Sequence, residues 1–453
     1  MASFKIKKGF DIRLEGKPAL EVTDAVTAGA VRVYPQEWPG LKPRLSVAEG
    51  DTVKRGSALF CDKQQEALII RSPAGGTVRS IVRGARRALT EIHIDVAGQE
   101  ETEVFPRYSG KQIRELARDQ VLNHLLNTGF LAFIRQRPFS VIADPAVTPK
   151  AIFVNAMNTA PFQADPAAVL QGEGEAFQAG LDVLTRLTDG TVHVCGPDHP
   201  PAAVTQAERV ERHVFSGPHP SGNTSVHIHH IAPIAPGDTV WTTRVEDVVA
   251  IGHLFLNGEV PATKVVSIGG PGVSADARKH YRVRIGQDIG PLLSGHESKG
   301  EQRIISGTLL AGTQVPADSA FRTFDSSLTV LPEGRERHFL GWLAPGLCRF
   351  SASRLFLSRW FRPGATWALN TNKNGSDRAL VVTGLYDRFM PMRIRVDALV
   401  RAVLAHDTDE AVQLGLLETD PEDFALCAFA CPSKMDIPEI IRKGLEEVAL
   451  EGL

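Results

Sequence analysis

Glycine and aspartate recur at short intervals in the first hundred residues, between runs of alternating apolar residues. The pattern runs through Glu49-Gly50-Asp51-x-Val53 and returns in Ser72-Pro73-x-Gly75-Gly76-x-Val78. Glycine and aspartate provide tight turns, and alternating valine, leucine and isoleucine fill the buried face of a strand. The spacing therefore predicts a small sandwich of short β-strands over residues 1–105.

Length and composition limit what the rest of the chain can be. A chain of 453 residues is too long for one ordinary core, so we expect three or four domains. The formal net charge of −2 argues against a nucleic-acid-binding protein, which would carry a basic stripe. We expect neither a secretory signal nor a membrane-spanning helix, because no apolar stretch approaches about 18 residues. The five cysteines are an odd number, which favours reduced thiols.

Helical and strand-like patterns alternate over residues 106–255. A three- and four-residue apolar repeat predicts a helix over residues 109–128, ended by Gly129. Strand-like runs at 151–154 and 191–195 flank a helical stretch at 167–187. This alternation predicts an α/β sheet.

The remainder of the chain divides into two further regions. Residues 256–330 contain strand-like runs near 263–268, 281–285 and 303–306, which predict a small β-rich domain. Residues 331–453 contain helical patterns at 396–404, 410–417 and 437–450, which predict a helical C-terminal region. The expected fold class is therefore α/β multidomain.

Asn155 begins a polar loop between the first predicted strand of the α/β sheet and the helix that follows. Parallel α/β sheets usually bind their ligands at this kind of position. The loop resembles the asparagine-containing flavin loop of two redox subunits, the NADH-binding flavoprotein of respiratory complex I and the C subunit of the Rnf complex. Met157, Asn158 and Thr159 stand where those subunits carry acidic residues.

This departure is typical of a related family, and further motifs agree with it. They include Lys7-Lys8-Gly9, Phe60-x-Asp62-Lys63, Arg137-Pro138-Phe139-Ser140 and Gly217-Pro218-His219-Pro220. Over about residues 4–451 the chain resembles the A subunits (NqrA) of Na+-translocating NADH:quinone oxidoreductases. The resemblance implies a lipoyl/biotinyl-like barrel-sandwich at 1–105, a Rossmann-like α/β domain with a degenerate flavin site at 106–255, a β-grasp domain at 256–330, and a family-specific, helical region at 331–453.

The same resemblance implies a function and a location. Members of the family belong to a membrane complex that oxidises NADH, reduces ubiquinone and moves Na+. We therefore expect no cofactor bound by this chain alone, ubiquinone as substrate, and NADH, flavins and iron–sulfur centres on partner subunits. The expected partners include membrane subunits, and the expected location is the cytoplasmic face of the bacterial inner membrane. The alternative is a purely structural assembly role, that of a degenerate flavoprotein with no ligand of its own.

The flavoprotein relatives hold phosphate with a glycine-rich loop, because only glycine lets backbone N–H groups approach a phosphate closely. The corresponding segment here runs from Gly129 to Phe139 and keeps only its first glycine and its Pro-Phe end. Such bulk blocks a phosphate cradle but suits a planar lipophilic head group. The resemblance and this loop together predict quinone contacts at Trp38, Gly40, Leu41, Phe130 and Phe139. Alternatively, the loop packs as core after losing its ligand.

Histidines are densest near the middle of the chain, at His219, His227, His229 and His230. If residues 227–230 form a strand, His227 and His229 share one face. Two histidines can begin a zinc site, but neither a cysteine nor an acidic residue lies in the same run to complete it. We predict no metal site, and a structural hydrogen-bonding role for His219 and His227 or a contact with a partner.

Cys427 and Cys431 resemble the end of an iron–sulfur motif, since Pro432 follows the second cysteine. An all-cysteine cluster needs four thiolates, and the other three cysteines are distant singletons. We interpret the pair as buried thiols; the alternative is a ligand role shared with cysteines of a partner protein. Lys63 is too poorly spaced from Pro73 to be the modified lysine of a carrier domain, so we interpret it as a surface residue.

Overall fold

The computed structural model describes residues 2–336, 340–341, 343–352, 355–381 and 383–452. Four sheets contain the strands of these ranges. The central sheet has seven strands, in the spatial order β1 (Ala2–Lys5), β14 (Glu211–Ser216), β13 (Thr191–Gly196), β12 (Ala151–Asn155), β15 (Val240–Arg244), β10 (Arg135–Arg137) and β11 (Val141–Ile142). The first five are parallel, and β10 and β11 are antiparallel additions at one edge.

The other three sheets are smaller and mostly antiparallel. One has six strands, in the order β19 (Thr313–Val315), β18 (Gln302–Ser306), β20 (Ser327–Pro332), β16 (Thr263–Gly269), β17 (Lys279–Arg284) and β2 (Ala19–Asp24). Two sheets of the N-terminal sandwich consist of β3 (Ala30–Val33), β9 (Leu89–Val96), β8 (Gly76–Arg83) and β5 (Thr52–Val53), and of β4 (Pro43–Leu45), β6 (Ala58–Asp62) and β7 (Ile69–Arg71).

The α-helices of the described ranges lie mainly around the central sheet and at the C-terminus. They are α1 (Gly110–Glu115), α2 (Arg118–Thr128), α3 (Pro166–Val169), α4 (Gly174–Thr185), α5 (Ala202–Thr205), α6 (Thr224–Ile231), α7 (Val245–Asn257), α8 (Gly290–Leu293), α9 (Ser358–Phe361), α10 (Val396–Leu404), α11 (Thr408–Gln413), α12 (Ala425–Ala430) and α13 (Ile437–Glu451). Among the described residues, no helix has both the length and the apolar composition needed to cross a bilayer.

Alternating residues of the central strands feed two different cores. Ile152 and Val154 of β12 pack with α4 and α7 in a core that continues into the N-terminal sandwich. Ala151 and Phe153 face the opposite side, where α6 and the C-terminal helices cover the sheet. Strand residues alternate between faces, so each strand contributes to both layers. A third core fills the six-stranded sheet.

The α/β multidomain fold predicted from the sequence is confirmed, as are its strands near 151 and 191 and its C-terminal helices. Two predicted helices are interrupted. The first divides at Leu116, whose ψ of 141° is extended, and the second divides between α3 and α4, next to Gly172. Gly129 ends α2 as predicted, with a φ of 79° that favours glycine.

The predicted domain boundaries, and the Rossmann-like and β-grasp assignments, remain predictions. The first two strands lie outside the N-terminal sandwich: β1 pairs with β14, and β2 pairs with β17. The N-terminal segment thus hydrogen-bonds to two sheets formed much later in the chain.

Candidate functional site

The loop after β12 is held by its own protein contacts. The Asn155 amide donates to the carbonyl of Gly222 at 2.8 Å and to Thr224 Oγ1 at 3.1 Å, while its Oδ1 accepts the backbone N–H of Met157 at 3.0 Å. Thr159 Oγ1 accepts the backbone N–H of Gly222 at 3.0 Å. Residues following β14 therefore occupy the hydrogen-bonding groups that the sequence suggested for a ligand.

Trp38 and Phe130, both predicted quinone contacts, belong to one group of aromatic rings. Phe130 stacks on Phe133 with centroids 4.7 Å apart, and Phe133 lies 5.2 Å from Phe324. Trp38 meets Phe324 edge-on at 5.6 Å and Phe60 at 5.5 Å. We call these five residues the aromatic cluster. It joins the N-terminal sandwich, the turn after α2 and the loop before β20.

The other predicted contacts lie around or away from this cluster. Leu41 is partly buried against the same core, and its N–H donates to the carbonyl of Trp38 at 3.2 Å. Gly40 is exposed, with a φ of 79° and open space where a Cβ would lie. Phe139 packs against the core on the opposite face of the central sheet. The structure thus groups four of the five predicted residues and separates Phe139 from them.

Several buried polar atoms beside the aromatic cluster have no hydrogen-bond partner among the described residues. They are Trp38 Nε1, Arg135 Nη1 and Glu37 Oε1. The guanidinium of Arg135 lies 4.6 Å from the centre of the Phe324 ring, and burial lowers the pKa of Arg135 to about 10. Buried polar groups are normally paired, so these atoms indicate a place where a ligand, water or partner could bind.

The carboxyl group of Glu37 is unusual in its electrostatics. Its Oε2 accepts the backbone N–H of Thr323 at 2.6 Å. Burial, with a further contribution from the charge of Asp325, raises the pKa of Glu37 to about 7. Burial also lowers the pKa of nearby Lys264 to about 8. A carboxyl group that titrates near neutrality can donate or accept a proton at physiological pH.

A second charged group connects β10 to the C-terminal region. Arg137 Nη2 lies 3.0 Å from Asp420 Oδ2, and Ser140 Oγ donates to the same carboxylate. Burial and neighbouring carboxylates raise the pKa of Glu422 to about 7 and that of Asp423 to about 6. This group was not predicted from the sequence. The acidic run 420–423 and the basic pair in β10 were visible, but no spacing rule relates segments so distant in the chain.

The histidine-rich segment forms a helix, so the predicted strand at residues 227–230 is wrong. Within α6, His227 is buried and its Nε2 lies 3.0 Å from the carbonyl of Ser221. His229 Nδ1 instead contacts Glu418 Oε2 at 2.6 Å. Residues two apart on a helix point in different directions, so His227 and His229 share no ligand-binding face. His219 Nδ1 bonds Thr159 Oγ1 at 3.0 Å, as expected for a structural role.

The C-terminal cysteines are buried and free. Cys431 Sγ lies 2.9 Å from the hydroxyl of Tyr386, and Cys427 donates to the carbonyl of the same tyrosine at 3.8 Å. Burial raises the pKa of the Cys427 thiol, which disfavours the thiolate form that metals bind. Lys63 is exposed.

Comparisons with known proteins agree over almost the whole chain. Three family models match: the NqrA N-terminal barrel-sandwich hybrid domain at residues 4–97, the NqrA second alpha/beta domain at 116–260, and the NQRA C-terminal domain at 265–317. The barrel-sandwich predicted for the N-terminal region is thereby confirmed.

Full-length relatives share the same name. The A subunit of the Na(+)-translocating NADH-quinone reductase from Yersinia pseudotuberculosis is 39% identical over 449 residues, covering 99% of this chain and 100% of the relative. The corresponding proteins from Klebsiella pneumoniae and Alcanivorax borkumensis are 40% and 38% identical with the same coverage.

Among solved structures, an NAD+-reducing [NiFe]-hydrogenase covers 52% of each chain at 13% identity and a TM-score of 0.36, a likeness too weak to support a conclusion. The family models and the full-length relatives agree with one another. This chain belongs to the family of A subunits of Na+-translocating NADH-quinone reductases.

Proposed function

We propose that this chain is a peripheral component of a Na+-translocating NADH:ubiquinone oxidoreductase and contributes to ubiquinone binding and to assembly of the complex. Its relatives are named as subunits of Na+-translocating NADH-quinone reductases. In this proposal the NADH site, the flavins and the iron–sulfur centres belong to partner subunits. The chain attaches at the cytoplasmic face of the bacterial inner membrane through membrane subunits.

The observation that carries the quinone proposal is the unpartnered N–H of Trp38 inside the aromatic cluster. Leaving a buried donor unpaired costs about 1–3 kcal/mol. Arg135 Nη1 is a second donor without a partner among the described residues, and its guanidinium lies against Phe324 of the same cluster. A quinone combines a planar apolar ring with two carbonyl acceptors. Its ring matches the aromatic walls, and its oxygens match the unpaired donors.

Glu37 supports the same proposal through proton chemistry. Reduction of a quinone to a quinol takes up two electrons and two protons. Glu37 precedes Trp38 in the chain, its pKa is raised by burial to about 7, and its Oε1 has no partner among the described residues. We propose that Glu37 delivers a proton to a quinone oxygen held near Trp38, while the electrons come from cofactors on partner subunits.

The alternative is an assembly role with no ligand of its own. The closed loop around Asn155 favours it, because protein groups there satisfy the former ligand contacts. Stacking of Phe130 on Phe133 also makes part of the old cofactor region a packed core. The two functions differ in whether the chain itself binds a quinone.

The test is calorimetric titration of the full chain, alone and in the assembled complex, with a short-chain water-soluble ubiquinone. We expect saturable binding that Trp38→Phe weakens by roughly fivefold, since that change keeps an aromatic ring but removes a hydrogen bond worth about 1 kcal/mol. Trp360→Phe is the matched control, because Trp360 is 74% exposed. Absence of saturable binding to both the chain and the complex would favour the assembly function.

A further inference from the structure

Two histidines and a glutamate meet on one face of the central sheet, away from the aromatic cluster. In the parallel register of β13 and β14, His193 lies opposite Glu211, and His213 follows two residues later on the same face. His193 is in the middle of its strand and Glu211 is the first residue of β14. The group therefore lies toward the opposite end of the strands from Asn155.

The ligand-type atoms of these three side chains form a compact triangle. His193 Nδ1 and His213 Nε2 are 3.1 Å apart. Glu211 Oε2 lies 3.7 Å from His193 Nδ1 and 3.7 Å from His213 Nε2. Tetrahedral zinc with bonds of about 2.0–2.1 Å places its ligand atoms about 3.3 Å apart. Small side-chain adjustments would thus bring all three atoms to bonding distance from one cation.

We propose that His193, Glu211 and His213 form a binding site for a divalent transition-metal cation of the Zn2+ class, with a fourth position open to water. Two imidazoles and one carboxylate are ligands that zinc commonly takes, and three protein ligands leave one position for solvent. No metal site was predicted from the sequence, where only ligands within one short run were considered. These three ligands come from adjacent strands.

The surroundings suit a cation that enters from solvent. Both histidines are buried, whereas the side chain of Glu211 is 59% exposed. The Phe153 ring lies 4.8 Å from the His193 ring and covers its inner side. The carboxylate is thus the solvent-facing ligand, and the imidazoles form the fixed inner wall.

The protonation state of the histidines also agrees with metal binding. Burial lowers the pKa of His193 to about 4, and burial lowers the pKa of His213 as well. Both rings are therefore neutral near pH 7, and neutral imidazole is the form that binds metals. Without metal, one ring donates its N–H to the other ring. On metal binding, that proton moves to the other nitrogen of its ring, and both facing nitrogens present lone pairs to the cation.

The proposal is tested with the full chain, prepared without a histidine tag, by titration with Zn2+ in a calorimeter and with Co2+ in an absorption spectrometer. We expect one equivalent of either metal, with visible Co2+ bands typical of low coordination number. Glu211→Gln should weaken binding at least tenfold, because roughly 10–100-fold is typical even for loss of an outer-shell partner. His213→Gln should abolish stoichiometric binding.

Matched controls separate this site from general surface binding. His199→Gln removes an exposed histidine between the same two strands, and Glu208→Gln removes an exposed carboxylate close to Glu211 in sequence. Both should bind as the unchanged chain does. Since Glu211 is exposed, Glu211→Gln should fold normally, and melting curves without metal check this. Saturating Zn2+ should raise the melting temperature of the unchanged chain more than that of Glu211→Gln.

Three results would overturn the proposal. The first is no saturable binding at millimolar metal. The second is equal affinity in folded Glu211→Gln and in the unchanged chain. The third is an equal loss of binding in His199→Gln, which would indicate scattered surface histidines.

Discussion

Arg137 and Asp420 form a buried ion pair that fastens β10 of the central sheet to the C-terminal region, with 3.0 Å between Nη2 and Oδ2. Arg137 also donates to the carbonyl of Thr419 at 3.1 Å. Burial alone would raise the pKa of Asp420, but the charge of Arg137 outweighs it and holds that pKa below its ordinary value. The two regions thus depend on each other for charge compensation.

Breaking this pair should destabilise the protein strongly. Arg137→Met leaves Asp420 buried without its partner, and removal of one partner of a buried pair typically costs about 3–5 kcal/mol. Chemical denaturation of the full chain measures the effect. Arg442→Met is the control, because Arg442 pairs with Glu439 on the exposed face of α13 and should cost under about 1 kcal/mol. Equal effects of the two changes would contradict the prediction.

Glu422 should make stability depend on pH in the neutral range. Its pKa of about 7, raised first by burial and then by Asp420, exceeds the value of about 4.3 for an unfolded glutamate. The folded state therefore binds more protons, so its contribution is present below about pH 4 and is lost as pH rises through about 7.

Glu422→Gln mimics the protonated carboxyl and removes this dependence. We expect the free energy of unfolding of the variant, relative to the unchanged chain, to increase between pH 5 and pH 8. Denaturation at several pH values measures it. Glu115→Gln, at an exposed carboxylate, should show no such trend. A flat difference for Glu422→Gln as well would mean that this carboxyl titrates normally.

Helices α4 and α7 approach so closely that Gly252 has no room for a side chain. A Cβ built there would lie 1.7 Å from the carbonyl oxygen of Ala176. Gly252→Ala must therefore push the helices apart, and overpacking of this kind costs about 1–3 kcal/mol. Thermal melting tests this, with Gly110→Ala as the control, since nothing lies within 4 Å of a Cβ at Gly110. A melting temperature unchanged by Gly252→Ala would contradict the packing.

Elements with strong local signals were predictable from the sequence. The strands near residues 151 and 191, the end of α2 at Gly129 and the helix at 437–450 each followed from periodicity or turn chemistry. Residues 227–230 show the limit of such patterns. The alternating histidines resemble a strand, but α6 packs Val226, His227 and Ile228 between the central sheet and the C-terminal helices. Tertiary packing decided the conformation.

The candidate site was predictable only in part, because its members meet through a third segment. Trp38 and Phe130 were expected near one another, and Phe324 is the ring that links them. Phe324 lies in a loop of another sheet, without any distinctive spacing. The His193–His213 contact depends on the register of two parallel strands. Neither relationship has a local sequence signal.

The purified full chain should carry no stoichiometric flavin or iron–sulfur centre. Phe130 and Leu131 occupy the segment where the flavoprotein relatives have glycines, and both are buried. Cys427 and Cys431 contact Tyr386 instead of further thiols. The visible absorption spectrum and an iron assay of the protein, purified under reducing conditions without added cofactor, measure this. Stoichiometric flavin or iron–sulfur bands would contradict it.

Quinone affinity should depend on Phe130 and be insensitive to Phe139. Phe130 belongs to the aromatic cluster, whereas Phe139 packs against the core on the other face of the sheet. An aromatic contact is worth about 0.5–1.5 kcal/mol beyond area burial, so Phe130→Leu should weaken binding by up to roughly tenfold. Phe139→Leu is the matched control, measured by the same calorimetry with melting curves alongside. If folded Phe139→Leu loses affinity while folded Phe130→Leu does not, the quinone lies on the opposite side of the central sheet, and the unpaired donors of Trp38 and Arg135 belong to another partner.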